Sequence, residues 1–274
     1  MAVADFETEI VDVPLSTAEV VKWRDGVSQL TQDCLAEEAP VALIYNGVSH
    51  AVMLATPQDL EDFALGFSIA EGIVLDASEM YGVEIRVQVN GIELHCDISS
   101  ERFAHLKERR RTLAGKTGCG ICGAESLQQA MRYPKAITSQ KSFAVDSIRR
   151  GLQQIQPLQQ LQHQTGATHA SAYVLADGTV SIVREDVGRH NALDKLIGAL
   201  ATAKLHDDGF IITTSRASFE MVQKTAAAGV GMLVAISAPT GLAVRVAKEC
   251  GLTLVGFARA NQYVVYSHGE RILK

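Results

Sequence analysis

Residues 210–257 read FIITTSRASFEMVQKTAAAGVGMLVAISAPTGLAVRVAKECGLTLVGF, and the reading of this stretch decides the fold. Phe210–Thr214, Met232–Ser237 and Leu252–Phe257 are short apolar runs of strand length. Between them, Ala217–Ala228 and Leu242–Cys250 carry the spacing of helices. Strands alternating with helices of this size predict βαβ units and a parallel sheet. Ligands of such sheets bind beyond the carboxyl ends of the strands. Those ends are Thr213-Thr214-Ser215-Arg216, Ser237-Ala238-Pro239-Thr240-Gly241 and Phe257-Ala258-Arg259-Ala260-Asn261-Gln262. Two of them lead into helix N-termini, whose free N–H groups and dipole suit phosphate. Arg216 and Arg259 are candidates to pair with phosphate oxygens, and Asn261 and Gln262 to read a base edge. The plainer reading makes Ser215 and Thr240 helix caps. Neither a dinucleotide-binding glycine fingerprint nor a Walker sequence is present.

Upstream, Ser171–Ala176 and Thr179–Val183 flank Asp177-Gly178 as a hairpin, and Asn191–Ala203 reads as a helix. Asn191 is its expected N-cap, and Asp194 favours its first turn. Glu185, Asp186, Arg189 and His190, within Arg184–Lys195, form either an acid/base or binding set or a strand end and capped helix with paired charges. Tyr263–Ser267 is a last strand. Residues 153–164 hold seven glutamines, broken by Pro157, and read as a connecting helix or linker. The first ~130 residues read as α+β. Hairpins are expected about Asn46-Gly47 and Asn90-Gly91, with a helix opened by Pro57 between them and a further helix over Glu101–Leu113. The expected organisation is thus an α+β part over 1–135 and an α/β domain over 136–274, with a linker at 151–166.

The chain of 274 residues is 47% hydrophobic and 20% charged, ordinary for a soluble globular enzyme. Its formal charge of −6 argues against wrapping nucleic acid or lying on a membrane surface. Aromatic residues at 5% are too few for a nucleic-acid stacking platform to be a first reading. Asp5, Glu7 and Glu9 do not fit the basic start of a signal peptide, and the apolar run Gly229–Ala238 is shorter than the ~20 residues of a membrane helix. A cytoplasmic protein is expected.

Of the cysteines Cys34, Cys96, Cys119, Cys122 and Cys250, only Cys119 and Cys122 are close in sequence. The other three read as buried, inert thiols. Gly118-Cys119-Gly120-Ile121-Cys122-Gly123 has four readings. It is half a zinc site needing remote ligands such as Cys96, His95 or His169, a thioredoxin-like redox pair, a sulfur-carrying nucleophile on a mobile arm, or a glycine-rich turn with idle thiols. The preceding run from Arg102 to Lys116 holds Arg102, Lys107, Arg109, Arg110, Arg111 and Lys116 against Glu108 alone. That charge would lower a thiol pKa and attract an anionic acceptor, although a solvated helix face also accounts for it.

Five motifs occur in one order: Gly118–Gly123, Glu185-Asp186-Val187-Gly188-Arg189-His190-Asn191-Ala192, Thr214-Ser215-Arg216, Ser237-Ala238-Pro239-Thr240 and Gly256-Phe257-Ala258-Arg259. Together, from about Pro40 onward, they resemble the formate dehydrogenase accessory sulfurtransferases, the FdhD family. The resemblance implies a cytidine deaminase-like, three-layer α/β C-terminal domain beside the smaller α+β part. It implies that sulfur comes from a cysteine desulfurase as a persulfide on Cys119. The sulfur passes to the molybdenum bis-molybdopterin guanine dinucleotide cofactor, for which a guanine nucleotide is a mimic, and the cofactor serves formate dehydrogenase. Cys122 assists transfer or attacks the bound persulfide. Phe257, Ala258, Arg259, Ala260, Asn261 and Gln262 match the stretch that contacts the guanine dinucleotide. A homodimer is expected, with no resident metal, nucleic acid or membrane. A non-enzymatic cofactor chaperone is the alternative. A zinc deaminase fits less well, because His169-Ala170-Ser171 lacks the glutamate of a His-x-Glu motif and the cysteine pair lies upstream without a preceding proline.

Overall fold

β10 (Gly209–Thr213), β11 (Met232–Ala235) and β12 (Thr253–Arg259) lie side by side and parallel, joined through α6 (Phe219–Ala227) and α7 (Gly241–Cys250). The computed structural model describes residues 12–114, 133–139, 141–205 and 208–274. The alternation read from residues 210–257 is therefore present. Antiparallel strands extend it on both sides into a mixed six-stranded sheet. β8 (His169–Leu175) and β9 (Val180–Asp186) lie beyond β10, and β13 (Gln262–Ser267) lies beyond β12. Apart from this sheet, the short β7 (Phe143–Ala144) pairs in parallel with β14 (Ile272–Leu273). The hairpin about Asp177-Gly178 is present, with strands a few residues longer than their apolar runs.

Helices cover both faces of this sheet, because its strands alternate apolar residues to either side. On one face Ile148 and Ile155 of α3 (Val145–Leu158) pack with Ala172, Val174, Phe210, Ile212 and Val234. On the other, Leu193 and Leu196 of α5 (Arg189–Ala203), with Met221 and Val246, pack against Tyr173, Ile211, Leu233 and Leu254. The glutamine-rich segment belongs to α3 and to α4 (Gln160–Thr165), and it is packed: Ile155, Gln159 and Leu161 are buried. Gln154 donates to the Gly178 carbonyl at 3.2 Å and accepts the Val180 N–H at 3.1 Å, tying α3 to the β8–β9 turn.

The N-terminal half contributes a four-stranded sheet, β4 (Val48–Ala55), β3 (Ala39–Tyr45), β6 (Gly91–Ile98) and β5 (Met80–Gln88) in that order. A separate hairpin is formed by β1 (Leu15–Arg24) and β2 (Val27–Ala36). Asn46 and Gly47 both have positive φ, 45° and 81°, as a two-residue hairpin loop requires. The second expected turn is displaced by one residue. Gln88 pairs with Gly91, so the loop is Val89-Asn90, and Gly91 is needed where a Cβ would stand 2.3 Å from the Pro40 carbonyl oxygen. The helix expected from Pro57 begins at Leu60, as α1 (Leu60–Ala70). α2 (Ser100–Ala114) matches the expectation over Glu101–Leu113.

α1 lies against α5 at two glycines. A Cβ on Gly66 would stand 1.7 Å from the Asp194 carbonyl oxygen, and one on Gly198 would stand 1.9 Å from that of Asp62. One hydrophobic cluster consequently runs from Val41, Phe63 and Leu94 to Leu193 and Leu254. Buried and half-buried polar contacts cross the same boundary. Asp186 accepts the Thr56 N–H at 3.0 Å and meets Lys195 Nζ at 2.8 Å, and Arg184 meets Asp62 at 2.6 Å. No helix among the described residues is long and apolar enough to cross a membrane.

Candidate functional site

Because β10, β11 and β12 are parallel, their carboxyl ends open at one edge, and backbone bonds hold the three segments together. Ser237 N–H donates to the Ser215 carbonyl at 3.3 Å, Thr240 N–H to that of Ala217 at 3.0 Å, and Phe257 N–H to that of Ser237 at 3.1 Å. The three polar strand ends read from the sequence are neighbours. Thr240 is a true N-cap of α7, its hydroxyl accepting the Ala243 N–H at 3.2 Å. Ser215 is not a cap: it donates to the Arg216 carbonyl at 2.9 Å, and Ser218 stands at the N-cap of α6 without a side-chain cap bond.

The Phe257–Gln262 segment forms the end of β12, a two-residue loop at Ala260-Asn261 and the start of β13. The pairing is irregular between Gly256 and Arg259, and there Phe257 adopts φ 51°, a left-handed conformation costly for an L side chain. Its ring is 48% exposed while Ala258 beside it is buried. Strain that turns an aromatic ring outward at a strand end is the pattern of a binding position. Arg259 Nη1 donates to the Ile236 carbonyl at 2.7 Å and the Ala258 carbonyl at 2.8 Å, which pins the guanidinium across the ends of β11 and β12. Asn261 and Gln262 are exposed beside it.

Arg189, Arg216, Arg245 and Arg259 have no carboxylate partner among the described residues. Arg245 is a residue that sequence reasoning missed. It lies one turn into α7, and its guanidinium folds back to within 3.6 Å of where a Gly241 Cβ would be. The available signal was an arginine four residues after a helix-opening glycine. An edge carrying this much uncompensated positive charge and two helix N-termini suits a polyphosphate.

The Arg184–Lys195 run divides. Glu185 is buried and accepts the N–H groups of Leu161 and Gln162, both at 2.9 Å, so it caps α4. Asp186 is buried on Lys195, Thr56, Gly188 and Asn191. Asn191, expected as an N-cap, lies inside α5, donating to the Leu54 carbonyl at 2.8 Å, and Gly188 holds the cap position. Asp194, expected to serve the first turn electrostatically, is buried on Lys224 at 2.7 Å. Arg189 and His190 remain at the sheet edge. His190 Nε2 stands 2.8 Å from a Glu220 carboxylate oxygen, and burial holds the His190 pKa below its ordinary value. His169 is likewise lowered, by burial and then by the charge of Arg189.

Cys119 and Cys122, with Lys116, lie outside the described residues, as do the side chains of Arg109, Arg110 and Arg111. Burial pushes the Cys96 thiol up to about 12 and raises that of Cys250. Neither is a nucleophile at neutral pH. Cys34 is half-buried rather than buried. Among the described residues, no three His, Cys, Asp or Glu side chains gather as a metal-binding group.

Residues 36–273 match the model of the FdhD/NarQ family. The chain is similar to the Sulfur carrier protein FdhD of Cupriavidus necator, 58% identical over 94% of this chain and 90% of that one. It is also similar to the protein of that name from Variovorax paradoxus, 51% identical over 95% and 96% of the two chains. The fold matches the crystal structure of a putative formate dehydrogenase accessory protein from Desulfotalea psychrophila. The TM-score there is 0.74 at 25% identity, over 94% of this chain and 99% of that one.

Proposed function

The chain belongs to the FdhD/NarQ family, and from that premise we propose that it is a sulfur carrier accessory to formate dehydrogenase. In this reading Cys119 receives sulfur from a cysteine desulfurase and delivers it to the molybdenum of a bound bis-molybdopterin guanine dinucleotide. The Cys119 thiolate attacks the terminal sulfur of the donor persulfide. The donor's S–S bond breaks with its electron pair leaving as the donor thiolate, and the terminal sulfur remains as a persulfide on Cys119. Cys122, the second thiol, assists transfer or attacks the inner sulfur of that persulfide, forming a Cys119–Cys122 disulfide as the outer sulfur leaves with the electron pair of the broken S–S bond. The reading makes the protein cytoplasmic and a homodimer. The β1–β2 hairpin supports self-association, with Val21, Trp23 and Leu30 exposed on one face of a two-stranded sheet that is weak alone. In this reading the C-terminal half is a cytidine deaminase-like domain, which its sheet with helices on both faces supports.

The observation that carries the reading on the acceptor side is the strand-end edge. There an outward, strained Phe257 adjoins the pinned Arg259 and exposed Asn261 and Gln262, next to arginines that have no carboxylate partner among the described residues. An aromatic face, an amide pair and guanidinium groups are the complements of a purine, its polar edge and a diphosphate. On the donor side, Cys96 and Cys250 are buried with raised pKa, which removes them as carriers and leaves the Cys119-Cys122 pair and the half-buried Cys34.

The test is intact mass after incubation with an active cysteine desulfurase and cysteine. Wild type is expected to gain about one reducible sulfur atom, and Cys122→Ala to keep that gain. Cys119→Ala is expected to lose it while remaining folded. No gain in wild type would replace the carrier with a non-covalent cofactor chaperone.

A further inference from the structure

The sheet edge holds a second group of polar atoms, away from the Phe257–Gln262 ribbon. β8 is antiparallel to β10, so its first residues lie at the same edge as the carboxyl end of β10, with Ser171 opposite Thr213. Alternation puts Ser171 on the face of His169 and Tyr173, and Tyr173 packs with Leu193 and Leu196 of α5. Ser171 therefore points toward the start of α5. It is fully buried, and its Oγ has no hydrogen-bond partner among the described residues. The same holds for two more buried atoms on the elements that meet here: Arg189 Nε, on the first residue of α5, and Ser218 Oγ, at the start of α6. Neither helix is capped by a side chain. The His190–Glu220 contact of 2.8 Å joins the two helix starts, and Arg189 is close enough to depress both His169 and His190.

Buried donors without acceptors are rare in folded proteins, and three at one place indicate a missing acceptor. The charges agree. Asp186 is committed to Lys195, Asp194 to Lys224, and Glu185 to the start of α4. Glu220, 57% exposed, stands at the rim against His190, and Arg189 has no ion-pair partner among the described residues. Two uncapped helix N-termini add the positive ends of their dipoles. We infer that Arg189, Ser171 and Ser218, beneath the first turns of α5 and α6, form an oxyanion-binding subsite for a phosphate group, separate from Arg259. It deepens the reading above by adding a second anion contact to the same crevice, and inorganic pyrophosphate tests it without any guanine.

The experiment is calorimetric titration of the full chain with inorganic pyrophosphate, then with guanosine diphosphate. It compares wild type with Arg189→Gln, Ser171→Ala and Arg259→Gln, each checked for folding by circular dichroism. Pyrophosphate is expected to bind wild type saturably, to weaken at least about tenfold in Arg189→Gln, and to stay within about threefold in Arg259→Gln. Ser171→Ala, which removes one oxygen from a buried site, is expected to weaken it about threefold or more and keeps the test decisive if Arg189→Gln fails to fold. No saturable binding, wild-type binding in Arg189→Gln or Ser171→Ala, or a loss confined to Arg259→Gln would overturn the subsite. A nucleotide phosphate is the occupant if guanosine diphosphate needs both arginines. A free oxyanion is the occupant if it needs Arg259 alone. If pyrophosphate behaves as expected but guanosine diphosphate binds no better and ignores Arg259, the subsite stands and the guanine reading falls.

Discussion

Phe257 shows how a single residue can serve a ligand at the expense of the fold. A left-handed conformation costs an L side chain roughly 1–2 kcal/mol, and glycine escapes that strain while losing more chain entropy on folding. The ring is half exposed, so removing it sacrifices little burial. Phe257→Gly is therefore expected to leave the melting temperature unchanged or slightly raised, and to weaken guanosine diphosphate by about tenfold through loss of the stacking face. Melting and titration on the same sample decide this. A large fall in stability with binding intact would make the strained ring a packing element. The sequence marks this position as a strand end and through its motif but not its reversed φ, which goes with the close Gly256–Pro239 approach, where a Cβ would stand 2.7 Å from Pro239 Cδ.

At the scale of elements, what could be read locally was read well. The Asn46-Gly47 and Asp177-Gly178 hairpins, α7 and the parallel strands each follow from a turn or a periodicity contained in about ten residues. What failed depended on partners far along the chain. Asn191 has the residue type of an N-cap, yet the Leu54 carbonyl claims its amide, and Asp194 is drawn into the core by Lys224. The glutamine run, read as a connecting helix or linker, is helical, but its composition hides that Ile155 and Leu161 pack it into the core. The α1–α5 crossing was equally invisible, since Gly66 and Gly198 carry no apolar signal. Gly→Ala in an exposed helix gains about 1 kcal/mol, but here the added methyl would enter the facing helix backbone. Gly198→Ala is therefore expected to destabilise by about 2–3 kcal/mol, as overpacking does. Urea denaturation measures it, and a gain in midpoint would show that the helices can part freely.

Across the whole molecule, the two halves are joined by that crossing and by buried charges, and the candidate site lies at the edge of the C-terminal sheet that they brace. Strand ends more than 20 residues apart in sequence could be placed together from the βαβ pattern alone, whereas the bracing pairs could not. Asp194 and Lys224 are the pair whose behaviour should register in global stability. Burial raises the Asp194 pKa to about 6, and Lys224 opposes that rise. Between the unfolded value near 4 and about 6, the folded protein holds this proton more tightly than the unfolded chain. Its contribution to stability therefore falls as pH rises through that window and levels off above it. Lys224→Met keeps the apolar stem but removes the opposing charge, so the Asp194 pKa climbs further and the penalty continues to grow above pH 6. The variant is expected to be less stable than wild type by about 3 kcal/mol or more near neutral pH, and by clearly less at pH 5, where Asp194 is protonated in both. Adding Asp194→Asn should flatten the pH dependence of that difference. Urea midpoints across pH 5 to 8 measure it, and a difference that stays constant or widens toward acid would show that Asp194 is not the group Lys224 holds in its charged form.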